Sequence, residues 1–337
     1  MNDERATGAS ERDGTTYHGL PVLKEPVWTW EVPAYFYIGG AAGAAATIGA
    51  ALQVLDGENS ARLVRRCRDI SAVGTLVGSG LLISDLGRPE RFLNMLRVFK
   101  PSSPLNLGSW ILMAAGGLSA TSAALSRSRG FAGRLGDLAG LGAGAIGLPL
   151  SGYTAVLLAG TAVPVWKASS RSMPLLFVAS ATGAACSLLE MGDFDERELT
   201  AVRRLGTAAQ LSELILAKAV EKESAGQAGA GRPYKEGMSG SLWNASTAAT
   251  VVSLAVDSLT GKSRPGRVAA ALVGTLGSIA LRFSVWLAGR ASARDPRATF
   301  DSQRRLDRPK GGFRAFRSPR RSGASPRLES PTNSMSP

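Results

Sequence analysis

Residues 32–55, VPAYFYIGGAAGAAATIGAALQVL, contain no charged residue. As a helix rising about 1.5 Å per residue, this stretch is longer than a hydrocarbon core of roughly 30 Å. Four further stretches are equally free of charge: 101–126, 138–166, 172–189 and 237–256. Five such runs cannot all be buried core helices of one small soluble domain. The chain reads as an all-α, multi-span membrane protein. Its mean hydropathy is only just above zero because both ends are polar.

Working outward, residues 1–31 form a polar arm that ends in Trp28, Trp30 and Glu31. Tryptophans there read as an interfacial belt. The arm lacks an apolar stretch followed by a cleavage site, so the first helix is expected to act as its own insertion signal. A charged loop is expected over 56–68, carrying Arg62, Arg65, Arg66 and Arg68, then a short helix over 69–86. Gly87 suits a left-handed helix end and Pro89 the start of the next helix, an amphipathic surface helix over 89–99. Further helices are expected over 107–125, within 138–166 (interrupted by Pro149 and closed by Pro164 and Trp166), and over 172–191, 238–260 and 266–289. Glycine pairs spaced by four, Gly39/Gly43, Gly74/Gly78 and Gly140/Gly144, suit close helix contacts in a bilayer.

Segment 200–222 is ambiguous. It is helical in composition, yet Arg203, Arg204, Gln210, Glu213 and Lys218 occupy about half its circumference. Either its polar face turns into the protein, or the helix lies on the membrane surface. The first case gives eight spans with both ends on one side, and the second gives seven. The expected organisation is a polar arm over 1–31, a transmembrane domain over 32–289 and a basic, disordered tail over 290–337.

The net charge is +13, and from Arg290 onward there are 12 Lys/Arg against 4 Asp/Glu. A basic segment flanking a span is retained on the cytoplasmic side, which explains the tail without nucleic acid. No aromatic platform is interleaved with the charges. The expected location is the cell membrane, with the tail cytoplasmic.

The chain has one histidine, His18, and two cysteines, Cys67 and Cys186. Membrane b-type haem takes axial ligands from spanning helices, and an iron–sulfur cluster takes four cysteines. Tetrahedral zinc needs a similar set. No metal, haem or cluster is therefore expected in this chain. No phosphate-binding glycine loop precedes a Lys-Ser/Thr pair, so ATP-driven transport by this chain alone is not expected either.

Ionisable groups at membrane depth are costly and mark candidate sites. Asp85 and Arg88 flank Gly87 as a possible proton-binding pair, or as a plain ion pair ending the helix. Glu190 and Asp193 read as solvated helix-end charges, and Glu213 as a partner of Arg203 or Lys218. Arg282 reads as a snorkelling residue or as a ligand-binding one. Tyr153 needs a polar partner at depth, either a quinone carbonyl or a backbone carbonyl opened by Pro149. Tyr35 and Tyr37 either flank the same cavity or belong to an interfacial belt.

These residues also carry a resemblance. The segment Asp85-Leu86-Gly87-Arg88-Pro89-Glu90-Arg91-Phe92, with Ser103-Pro104 and Gly108-Ser109-Trp110, resembles the NrfD/PsrC family of membrane anchor subunits of polysulfide reductase-type molybdoenzyme complexes. Similar to it as well are Tyr35-Phe36-Tyr37-Ile38-Gly39-Gly40 with Gly43, and Gly152-Tyr153-Thr154-Ala155-Val156-Leu157-Leu158 with Pro164 and Trp166. So is Ala288-Gly289-Arg290-Ala291-Ser292-Ala293-Arg294-Asp295-Pro296 with Gln303-Arg304. The likeness runs over about residues 28–305. It implies eight spans in two four-helix bundles and a quinone site near the face that meets an iron–sulfur subunit.

By the same likeness Tyr153 is the quinone-site tyrosine, while Asp85 and Arg88 are the acidic residue and arginine of the motif. Glu31 stands in the neighbourhood where some relatives have a histidine. The expected function is that of a quinone- or quinol-interacting anchor subunit of a respiratory oxidoreductase. It would exchange electrons between menaquinone or ubiquinone and an iron–sulfur partner, itself joined to a molybdopterin-type catalytic subunit. An ion- or solute-translocating protein built on Glu213 and Arg203, and a structural anchor with a degenerate quinone site, remain open alternatives.

Overall fold

The computed structural model describes residues 23–88, 90–226, 230–260 and 263–295, apart from the side chains of Glu58, Arg91 and Leu93. Expectations for His18, for Pro89 and for the tail beyond Asp295 lie outside these residues. Among the described residues the protein is all-helical: α1 Glu31–Leu55, α2 Ala61–Asp85, α3 Glu90–Leu96, α4 Pro104–Leu125, α5 Gly130–Ala159, α6 Pro164–Ala168, α7 Ser172–Glu190, α8 Glu196–Ala225, α9 Gly237–Thr260 and α10 Arg264–Arg294.

Local chemistry sets many of these ends. Ser103 accepts the Asn106 N–H and Pro104 opens α4. Ser263 and Pro265 do the same for α10. A capping box between Asp195 and Glu198 opens α8. Gly87, with φ +64°, makes the left-handed turn after α2.

Three expectations need correction. The charged loop is shorter than expected, because α2 begins at Ala61 and carries Arg62, Arg65, Arg66 and Arg68 on its opening turns. Helix α5 begins earlier than expected, at Gly130, continues through Pro149 and ends at Ala159, while Pro164 opens the separate α6 that holds Trp166; a proline removes one donor but need not end a helix. Among the described residues, five helices are long and apolar enough to cross a membrane: α1, α4, α5, α7 and α10. The charge-free stretch 237–256 is not among them, because serine, threonine and asparagine dilute α9, whereas α10 qualifies despite Arg282.

Contacts among the longer helices close into two rings. In the first, α1 touches α2 and α5, and α4 touches both of those; in the second, α7 touches α8 and α10, and α9 touches both of those. Helices α1, α5 and α7 join the rings, with α1 also touching α10. Large apolar side chains point outward on all eight of these helices, for example Leu76 on α2, Leu148 on α5, Ile215 on α8, Val251 on α9 and Leu276 on α10. Meanwhile Arg68, Glu213, Arg267 and Arg282 are buried. Apolar outside and polar inside is the arrangement a lipid solvent selects. Segment 200–222 follows this rule in part within α8: Leu205, Leu211 and Ile215 face out and Glu213 is 4% exposed, but Arg204 and Lys218 are exposed as well.

Candidate functional site

Tyrosine 35 lies in the first turns of α1 and is buried. Two glycines make room for its ring. A Cβ at Gly39, one turn on, would lie 2.7 Å from it, and a Cβ at Gly78 of α2 would lie 3.0 Å away. Gly108 of α4 likewise abuts the ring of Tyr153, which comes in from α5. The two hydroxyls meet at 2.6 Å. Tyr153 therefore finds its partner in another tyrosine, not in a carbonyl opened by Pro149. A pair of hydroxyls uses one proton between them and leaves the other free. When Tyr35 donates, the Tyr153 O–H is available to a ligand.

That free position faces a cavity of about 190 Å³ lined by both tyrosines, Asp85, Phe92, Ser109 and Leu112, among others. An engineered apolar cavity of about 150 Å³ holds benzene, so one ring-sized head group fits here. Asp85 ends α2 at the mouth. Its carboxylate accepts the Thr29 N–H at 3.1 Å and the Thr29 hydroxyl at 2.5 Å. The same hydroxyl contacts the Glu31 carboxylate. A hydroxyl carries one proton, so Thr29 donates to one carboxylate at a time, and the bridge can hand a proton between Glu31 and Asp85.

Not every expected residue gathers here. Tyr37 lines a different cavity with Arg66, Asp69 and Leu188. Residues two apart on a helix point about 200° apart, so Tyr35 and Tyr37 cannot share a face. Arg88 is exposed on the turn after Gly87, and no ion pair joins it to Asp85. In the DLGRP segment the acidic residue meets the cavity and the arginine faces outward.

The arm over residues 23–30 spans the mouth. Trp28 stacks on the fully buried Trp166, with centroids 5.9 Å apart, and Trp166 donates its indole N–H to the Val285 carbonyl at 2.9 Å. Glu25 pairs with Arg290 and Arg294 at the end of α10, the latter at 2.8 Å. Thus the arm ties the end of α2 to the end of α10.

The Arg294 hydrogen bond, opposed by partial burial and assisted by Arg290, holds the Glu25 carboxyl below its ordinary value of 4.5. A depressed carboxyl stabilises the docked arm fully above the ordinary value and loses that contribution as pH falls through its own. The arm is therefore expected to loosen below pH 4.5. A fluorophore on Val27→Cys, the native cysteines being buried, reports this release, and Glu25→Gln brings the loosened signal to neutral pH.

Sequence reasoning missed Thr29 and Asn106. Asn106 fastens the segment after α3, donating to the Met95 and Val98 carbonyls and accepting the Lys100 N–H. A lone amide at the start of an apolar run was the available signal. Nothing local marks Thr29, whose partner Asp85 is 56 residues away.

Outward-facing apolar helices around an interior with polar groups define a multi-pass membrane protein. A family model described as "Polysulphide reductase, NrfD" matches residues 21–216, more than half of the chain, and the chain belongs to that family. The family places it as a membrane subunit of a polysulfide reductase-type complex, a class that works with redox catalytic subunits. The match includes the arm, both tyrosines and the DLGRP segment, and it ends within α8, short of the likeness noted at 288–304. No curated protein matches the chain.

Proposed function

We propose that the protein exchanges electrons between the membrane quinone pool and an iron–sulfur partner of a molybdopterin-type enzyme, binding the quinone head between Tyr153 and Asp85. The observation that carries this reading is the Tyr35–Tyr153 pair at the wall of a ring-sized cavity with a carboxylate at its mouth. A quinone accepts two electrons and two protons to become a quinol. In this reading Tyr153, backed by Tyr35, donates to one quinone oxygen. Asp85 exchanges protons at the mouth with Thr29 and Glu31. The rest of the lining is mostly apolar, with the hydroxyls of Ser109 and Thr154 added, which suits a lipid-soluble ring. Electrons pass to or from the partner's clusters, because the chain offers no ligand set for a centre of its own.

Eight spans in two four-helix bundles belong to the same proposal. The two rings of contacts support it, as do the large apolar residues on the outer faces of α2, α8 and α9. Both ends then share one membrane side with the cavity, and the basic tail supports the cytoplasmic side of the cell membrane.

Titrating a quinol analogue against the purified complex tests the site. Asp85→Asn is expected to lower turnover about tenfold or more, as loss of a proton-transfer group does, and to flatten the pH dependence. Unchanged electron transfer in both Asp85→Asn and Tyr153→Phe contradicts the assignment.

A further inference from the structure

The second ring contains a polar track that the quinone reading does not use. At the end of that ring formed by the start of α8 and the end of α9, Arg203 grips Asp257 at 3.0 Å, and Arg267 donates to the Glu190 carbonyl at 2.9 Å. Glu190 is 7% exposed, so it is not the solvated helix end expected of it. About two turns inward, Ser187, Gln210 and Ser253 converge on Gly274: a Cβ there would lie 3.0 to 3.1 Å from each of their polar atoms. One turn further, Glu213 accepts the Thr250 hydroxyl at 3.1 Å with Ser180 beside it. Each step keeps to one face of α8: Arg203, Gln210, Glu213.

Across from Glu213 stands Arg282, 1% exposed and so not snorkelling. It does not close a salt bridge. One nitrogen donates to the Phe177 carbonyl at 2.9 Å, its guanidinium lies 3.9 Å from the centre of the Phe177 ring, and Nε and Nη1 have no hydrogen-bond partner. Burying two charges is expensive, and a contact ion pair is the usual remedy. Here the cation is held by groups other than the carboxylate, so it keeps partners when the carboxylate is neutralised. Arginine does not deprotonate in proteins, so within this pair the carboxyl is the group that changes charge.

We infer that Glu213 is a proton-binding site within the membrane domain, reached from the Glu190–Asp257 end through the cradle of Ser187, Gln210 and Ser253 around Gly274. A proton from water at that face forms an O–H bond on the Glu213 carboxylate, and the local charge rises by one with no redox change. The charged and titratable groups acting on it are Arg282 of α10 and, beyond Arg282, Tyr37 of α1. From α7 and α9 the nearest charges are Glu190 and Asp257, at the entrance. This site is separate from the Tyr35–Tyr153 cavity and stands or falls independently of it.

Infrared difference spectroscopy of the full chain in lipid nanodiscs, stepped from alkaline to acid pH, tests the inference. The wild type is expected to gain a carboxylic acid C=O band that shifts in heavy water and is missing in Glu213→Gln. Gly274→Val, which fills the cradle, is expected to leave the band's final amplitude intact while slowing its appearance about tenfold, an added barrier of about 1.4 kcal/mol. Gln210→Leu serves the same purpose if Gly274→Val misfolds by thermal melting. A band that survives Glu213→Gln, or its absence from the wild type, overturns the site. Unaltered kinetics in the folded cradle variant overturn the route.

Discussion

Replacing Tyr153 by phenylalanine is expected to lower quinol-linked electron transfer about 100-fold, the usual effect of removing a positioned proton donor. The ring stays, so packing against Gly108 is retained and only the hydroxyl is lost. Tyr35→Phe has a smaller effect on turnover, because the Tyr153 hydroxyl remains to serve the ligand. Stability follows a different order. Each single variant strands the other hydroxyl at a buried position, at a cost of about 1–3 kcal/mol, whereas the double variant removes both members of the pair and recovers much of that loss. A double-mutant cycle of melting temperature and turnover separates the two effects: coupling in stability belongs to the pair, and the loss of turnover belongs to Tyr153.

Gly43→Ala is expected to destabilise the protein, against the trend of helix propensity. Alanine is better than glycine in a helix by about 1 kcal/mol. At Gly43, however, the new Cβ would lie 2.5 Å from the Gly147 carbonyl oxygen and 3.0 Å from the Ser151 nitrogen, both backbone atoms of α5. Backbone cannot turn aside as a side chain can, so α1 and α5 must separate. That separation forfeits contacts worth about 1–3 kcal/mol, which outweighs the propensity gain. Gly43→Leu is expected to prevent the two helices from assembling. Gly117→Ala is the control: nothing lies within 4 Å of its added Cβ, so propensity acts alone and the protein gains up to about 1 kcal/mol. Thermal melting of the three variants in detergent gives the signs, and loss for Gly117→Ala together with gain for Gly43→Ala contradicts this account of the interface.

The expected spans were legible because the bilayer forces long runs without charge, and α1, α4 and α7 follow them closely, whereas α5 is shifted toward the N-terminus. The glycine pairs were legible because close helix contact demands small residues: Gly39 and Gly78 hold the Tyr35 ring, and Gly74 meets Ala42. The tyrosines and Asp85 were legible singly, as polar groups in costly places. Their convergence was not, because Tyr35 and Tyr153 are 118 residues apart and only the packing of α1 on α5 joins them. Arg282 misled for a related reason. Its position about three turns from the end of α10 fits snorkelling, and nothing local reveals that Phe177 of α7 closes over it. Polarity in α8 left two readings open, and the tertiary packing, not the sequence period, turned Glu213 inward.

Photolabelling of the intact complex with an azido-quinone, followed by peptide mapping, tests the quinone site most directly. The account predicts label on peptides containing Tyr35 or Tyr153, competed away by unlabelled quinol and lost in Tyr153→Phe. Label confined to other helices, or label on these peptides that neither quinol nor Tyr153→Phe diminishes, contradicts it.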